Sequence, residues 1–193
     1  MTNLKNTYNQ EMKKTLKAEF GYKNDFQVPK ITKVTINMGL GEAKDSDEIL
    51  KNALTALEQI SGQKPRINKS KKSISGFKLR EGQVVGASVI LRGDRMYDFI
   101  ARFTSTALPR IRDFRGMNEK SFDKMGNFSV GIREHTIFPE IKFDQVKSVI
   151  SLQVNVSTTA KNDAEGKRLL ELFGFPFDKK VVTENIKTGE QNG

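Results

Sequence analysis

Three stretches of this sequence change between apolar and polar residues at every step, and a period of two leaves a folding chain few choices. Val34, Ile36 and Met38 alternate with Lys33, Thr35 and Asn37, and Phe128, Val130 and Ile132 alternate with Asn127, Ser129 and Gly131. Ile150, Leu152, Val154 and Val156 do the same with Ser151, Gln153, Asn155 and Ser157. Successive side chains of a strand point to opposite faces, so each stretch reads as a β-strand with one buried and one solvated face. Strands of that kind belong to antiparallel or mixed sheets covered on one side only. The β-branched run from Val84 to Arg92 and a short segment from Pro65 to Lys69 supply two further strands.

The helices that would cover such a sheet are also legible. Leu4, Tyr8, Met12, Leu16 and Phe20 recur every four residues ahead of Gly21, which can take the left-handed stop. Asp45 with Glu48 resembles a capping box for the stripe Ile49, Leu50, Ala53, Leu54, Leu57 and Ile60, which Gly62 ends. Asp94 is placed to cap a third helix carrying Met96, Phe99, Ile100, Phe103 and Ala107, with Pro109 ending it. Asp163 is placed to cap a last one carrying Leu169, Leu170 and Phe173, closed by Gly174 and Pro176. The fold class is therefore α+β, a two-layer domain with a mostly antiparallel sheet, helices packed on one face and an extended basic loop. Residues 1–178 read as a single domain and 179–193 as a loose polar tail, with no repeat and no linker.

Charge narrows the partner. Thirty-three Lys and Arg against 23 Asp and Glu give a net charge of +10, which points to a polyanion. No stretch approaches the roughly 18 apolar residues of a membrane span, and no secretory signal opens the chain, so a cytosolic protein without a membrane partner is expected. Cysteine is absent, which excludes disulfides and thiolate metal sites.

The positive charge is concentrated in two places. Lys64, Arg66, Lys69, Lys71, Lys72, Lys78 and Arg80 put seven positive charges and no acid into one segment, where Ser70, Ser73, Ser75 and Gly76 loosen the chain and Phe77 adds an aromatic. Like charges so close repel unless a counter-charge meets them, so a phosphate-rich ligand is the better reading than a solvated loop. Arg110, Arg112 and Arg115 bracket Asp113 just after the third helix, suited either to phosphate or acid on a partner or to a local ion pair. The polar strand faces, with Thr35, Asn37, Ser88, Ser129, Gln153, Asn155 and Ser157, offer neutral groups that suit ribose hydroxyls and phosphates across a shallow RNA groove. Any one-sided sheet shows the same alternation, so an ordinary solvated face explains it as well.

Enzyme signatures fail one by one. Gly39 and Gly41 open a G-x-G, but Lys44 stands where a dinucleotide fingerprint needs glycine. Gly76 and Gly82 are wrongly spaced for a phosphate loop, whose lysine is replaced by Gln83. His135 is the lone histidine and has no thiolate or nucleophile motif to serve. No catalytic residue, metal site or cofactor is expected. A DNA-binding protein would share the charge but should offer a helix for the major groove, and no helix-turn-helix pattern is present.

The ordered segments resemble bacterial large-subunit ribosomal protein number five over about residues 1 to 178. They are VPKITKVTINMGLGEA from Val28, ISGQKP from Ile60, KKSISGFKLREG from Lys71, LRGDRMYDF from Leu91, PRIRDFRG from Pro109, FDKMGNFSVGIREHTIFPEI from Phe122, VSTTAKNDAEG from Val156 and FGFPF from Phe173. The resemblance implies an α+β protein that binds 5S rRNA in the central protuberance, within the ribosome of the cytoplasm, beside large-subunit rRNA and other central-protuberance proteins. It places 5S rRNA contacts at Asn37, Gln63 and Lys64, with Ser88 a weaker one. Lys71, Lys72, Ser73, Phe77, Lys78 and Arg80 then belong to a loop reaching peptidyl-site tRNA. Arg110, Arg112 and Arg115 belong to a bridge facing small-subunit ribosomal protein thirteen. The terminal VVTENIKTGEQNG from Val181 extends beyond the pattern.

Overall fold

A computed structural model of the chain describes residues 4–41, 47–141 and 149–178. Five strands, β1 (Ile31–Gly39), β2 (Arg66–Lys69), β3 (Val84–Leu91), β4 (Phe128–Ile132) and β5 (Leu152–Thr158), form one sheet in the order β2-β3-β1-β5-β4. Every pairing is antiparallel. Val34, Ile36, Met38, Val154 and Val156 turn to the covered side and are buried, as the alternation requires. A register shift between Ile31 and Lys33 leaves both Thr32 and Lys33 off the core, so strict alternation begins only at Lys33.

The helical layer is α1 (Leu4–Thr7, Tyr8–Met12 and Lys13–Phe20 in succession), α2 (Asp47–Ser61), α3 (Gly93–Arg102) and α4 (Asp163–Leu172). In α1 the turn Tyr8–Met12 is a π-helix, and the spacing of apolar residues explains it. Positions four apart overrun the 3.6-residue α turn by a constant angle, and one wider turn brings Tyr8, Met12 and Leu16 back to a common buried face. The same device follows α3. A π turn, Phe103–Ala107, keeps Phe99, Phe103 and Ala107 in the core. Phe99, Phe103 and Phe138 stack there with ring centroids 5.7 to 6.2 Å apart. Arg102 bonds the carboxylate of Glu140 and, at 3.1 Å, the Ile60 carbonyl near the end of α2, tying three segments together.

Four details depart from the sequence expectations. Asp94 does not cap α3: the capping position is Arg92, and Asp94 sits in the first turn, paired with Lys5 at 2.7 Å. Asp163 does not cap α4 either. Asn162 takes the amide of Glu165 at 2.9 Å, because its side chain lies one residue before the helix, while Asp163 accepts from the Gly126 amide at 3.1 Å. Pro109 does not stop its helix at once but lies within a final 3-10 turn, Leu108–Arg110, where proline near the first position is tolerated. Finally, among the described residues no ion pair joins Asp113 to its neighbouring arginines, so that local counter-charge is not made. The capping pair at Asp45 and the polar tail from 179 fall outside the described residues.

Candidate nucleic-acid interface

The helices occupy one face of the sheet, and the register aligns the polar residues of the other into rows. Arg66 lies opposite Ser88, Ser88 opposite Asn37, Asn37 opposite Gln153, and Gln153 opposite Gly131, so one row crosses all five strands. The next row holds Ile90, Thr35, Asn155 and Ser129. Lys33 faces Ser157 beyond it. The side-chain amides of Asn37 and Gln153 form no hydrogen bond with another described residue, although Asn37 is half-buried. A buried or half-buried amide without a partner is costly unless water or a ligand meets it. With Gly39 and Gly131 lacking side chains, a shallow groove of about 490 Å³ opens beside Asn37, Gln153, Ser151 and Arg133.

The sequence-predicted residues divide accordingly. Asn37 and Ser88 are cross-strand neighbours. Gln63 and Lys64 lie just before β2, where α2 ends: the Gly62 amide bonds the Glu58 carbonyl at 2.8 Å, and the Ser61 hydroxyl accepts the Gln63 amide at 3.2 Å. The Gln63 side chain reaches the Ile90 carbonyl at 3.5 Å, too long to hold it firmly. Two neighbours escaped the sequence reading. Asn68 donates to the Ser88 hydroxyl, and Ile90 stands 48% exposed on the otherwise polar face. An apolar residue at an outward strand position was the available signal for Ile90.

The basic segment between β2 and β3 is not the loose loop its serines and glycine suggest. Ser70 and Gln83 close it through a 2.8 Å backbone bond, and Ile74 and Leu79 exchange two more inside it at 2.9 and 3.1 Å. The Ser73 hydroxyl accepts the Glu81 amide at 2.9 Å, and Lys78 takes the left-handed backbone that closes the tip. Lys71, Lys72, Ser73, Lys78 and Arg80 are exposed, and the Phe77 ring is 71% exposed among them. None of these basic groups enters an ion pair with a described residue. Arg110, Arg112 and Arg115 are exposed elsewhere, and Arg110 and Arg112 help line a groove against β4.

His135 is only 3% exposed, and its Nδ1 accepts the Ile150 amide at 3.1 Å. Burial holds the imidazole below its ordinary pKa, so it is a neutral structural group at pH 7. Among the described residues no three His, Asp or Glu side chains gather to hold a metal, and no helix is long and apolar enough to cross a membrane.

The fold is thus a one-sided antiparallel sheet with a mostly polar free face and an exposed basic hairpin between β2 and β3, and the comparisons say which family it belongs to. The family model described as "Ribosomal protein L5" matches residues 24–80, and the model for the C-terminus of the same ribosomal protein family matches residues 84–177. The large ribosomal subunit protein uL5 of Francisella tularensis subsp. novicida is 52% identical over 177 residues, covering 92% of this chain and 99% of its own length. That of Desulfatibacillum aliphaticivorans is 51% identical over 179 residues, covering 93% and 100%. The chain belongs to the ribosomal L5 family. It is a structural, non-enzymatic component of the large ribosomal subunit, associated with rRNA and acting in the ribosome of the cytoplasm.

Proposed function

We propose that residues 1–178 form one unit that binds 5S rRNA through the open face of the sheet and helps attach that RNA in the central protuberance. The supporting observation is the row from Arg66 to Gly131, in which Asn37 and Gln153 hold amides with no described partner. An RNA minor groove is wide and shallow and displays 2′-hydroxyls, which neutral amides at strand spacing can bond, while Lys64, Arg66 and Arg133 meet phosphates at the edges. Gln63 and Lys64 lie beside that row, where α2 hands over to β2 and the Gln63 side chain reaches the Ile90 carbonyl. Ser88 contributes less, since Asn68 already occupies its hydroxyl.

The hairpin from 70 to 83 serves a second ligand, peptidyl-site tRNA, through Lys71, Lys72, Lys78 and Arg80, with Ser73 shaping it and Phe77 exposed at its tip. Arg110, Arg112 and Arg115 form a third surface toward small-subunit ribosomal protein thirteen. Large-subunit rRNA and neighbouring central-protuberance proteins complete the surroundings. A duplex-DNA reading would keep the charge but lacks a helix presented to a major groove, since α2, α3 and α4 turn their apolar faces to the sheet.

Titration of the protein with purified 5S rRNA against competing duplex DNA tests the reading. Neutralising roughly 4 to 8 phosphates gives a log-log salt slope of about −3 to −6. A flat salt response, or equal competition by duplex DNA, contradicts it.

A further inference from the structure

We propose that Phe26 stacks on an unpaired base of 5S rRNA, carrying the sheet-face interface onto the turn that precedes β1. The inference rests on the 5S rRNA reading above. Phe26 lies in a single 3-10 turn, Asp25–Gln27, and is 94% exposed, more than any other large apolar side chain among the described residues. The fold makes almost no use of the ring.

The backbone beneath it is nonetheless pinned on both sides. The Asn24 side chain accepts the Phe26 amide at 3.2 Å, and the Asn24 carbonyl accepts the Gln27 amide at 3.1 Å. Lys17 and Lys13 hold Asp25 at 2.6 and 3.5 Å, and the Lys17 ammonium keeps that carboxyl below its usual pKa. Val28 is buried, Tyr8 donates its hydroxyl to the Pro29 carbonyl at 3.0 Å, and Lys30 exchanges bonds with Thr159 at 3.0 Å. An aromatic ring on a fixed turn has little backbone entropy to lose on binding, which is the property a stacking platform needs.

Charge and position select RNA over protein. Lys23 and Lys30 flank the turn, exposed and without an ion pair to a described residue, and Asp25 is already compensated. A protein pocket closing over Phe26 would have to desolvate both lysines, whereas a nucleotide brings its phosphate to them. Three residues after Lys30 the chain enters the polar face at Lys33, at the end of the sheet where Gln63 and Lys64 lie. The turn is held against α1 at this end, so RNA lying on the row through Asn37 reaches Phe26 by wrapping around the end of the sheet toward the helical layer.

The chain contains no tryptophan, so Phe26→Trp introduces a lone indole at the site in question. Purified 5S rRNA should quench its emission on titration, with the quenching saturating as the RNA binds. Phe26→Ala, and Phe26→Leu, which keeps apolar bulk without a π face, should each weaken binding by about 5-fold to 100-fold, the equivalent of losing one stacked base. Unchanged indole emission at saturation, or wild-type affinity in Phe26→Ala, overturns the inference. If Asn37→Ala still loses affinity in that case, the sheet-face reading survives without it. Should emission change only on assembly into the large subunit, the ring meets something other than 5S rRNA and the proposal is wrong. Failure of the wild-type protein to bind 5S rRNA removes both readings together.

Discussion

Asn68 donates its side-chain amide to the hydroxyl of Ser88 at 3.0 Å across the β2–β3 ladder, so the serine beside Asn37 reaches the open face with its hydroxyl already engaged. Asn37 has no such commitment among the described residues. Ser88→Ala should therefore cost 5S rRNA affinity less than Asn37→Ala does. It should lower stability by up to about 1 kcal/mol, because the Asn68 amide loses its partner. Calorimetric binding and thermal denaturation of the two variants check the order, and a larger binding loss at Ser88 would contradict it.

The hairpin between β2 and β3 is held by its own backbone and serine bonds, so its charges can be removed without removing its shape. Replacing Lys71, Lys72, Lys78 and Arg80 with glutamine should leave folding and 5S rRNA affinity nearly unchanged while speeding tRNA release from the peptidyl site. Release rates from ribosomes carrying the variant, measured beside 5S rRNA affinity of the same protein, test this division. Unchanged release with lost 5S rRNA binding would place the hairpin on 5S rRNA instead.

Stability should depend sharply on a pair of glycines. A Cβ on Gly166 of α4 would stand 2.6 Å from the carbonyl oxygen of Gly126 and 2.8 Å from its Cα. Those are backbone atoms, so neither can swing aside. Gly166→Ala gains about 1 kcal/mol of helix propensity. Separating α4 from the turn before β4 costs more, because overpacking by a methyl group runs to about 1 to 3 kcal/mol and here also strains the Asp163–Gly126 bond. A net loss is expected in urea denaturation, and a variant as stable as wild type would show that α4 shifts freely.

Acid should weaken the fold through His135. Burial depresses its folded-state pKa below the ordinary value near 6.5, so the folded protein binds fewer protons than the unfolded chain in that window. The stabilising contribution is complete above about pH 6.5 and is lost as pH falls toward the depressed value, with a slope of at most about 1.4 kcal/mol per pH unit for one proton. As the chain has one histidine, His135→Asn should flatten the dependence between pH 7 and 5 whatever it does to overall stability. An unaltered slope in that variant would remove His135 as the cause.

Much of the architecture was legible because side-chain periodicity is a local property. The alternation at Val34, Ile36 and Met38 and the stripe through Leu57 and Ile60 depend only on which face meets the core. What escaped depends on partners distant in sequence. Nothing near Asn37 announces that it faces Ser88 on one side and Gln153 on the other, since strand order is a matter of topology. Asp163 looked like a cap because aspartate is a good one, but Asn162 stands one residue earlier and Gly126 claims the aspartate. The basic hairpin looked loose because serine and glycine favour loops, whereas Ser70 and Ser73 spend their hydroxyls inside it. The candidate RNA residues were named from resemblance, and that Asn37 and Ser88 are cross-strand neighbours while Gln63 and Lys64 lie just before β2 became visible only in three dimensions.

The proposed interface puts 5S rRNA on the row through Asn37, with Gln63 beside that row where α2 meets β2. Its most direct test is the equilibrium affinity of purified 5S rRNA for Asn37→Ala and Gln63→Ala, each first verified to fold as wild type does. Each variant should lose about 1 kcal/mol of binding, roughly a fivefold rise in Kd, for one directed hydrogen bond removed. Wild-type affinity in both variants would contradict the account and move the RNA off this face of the sheet.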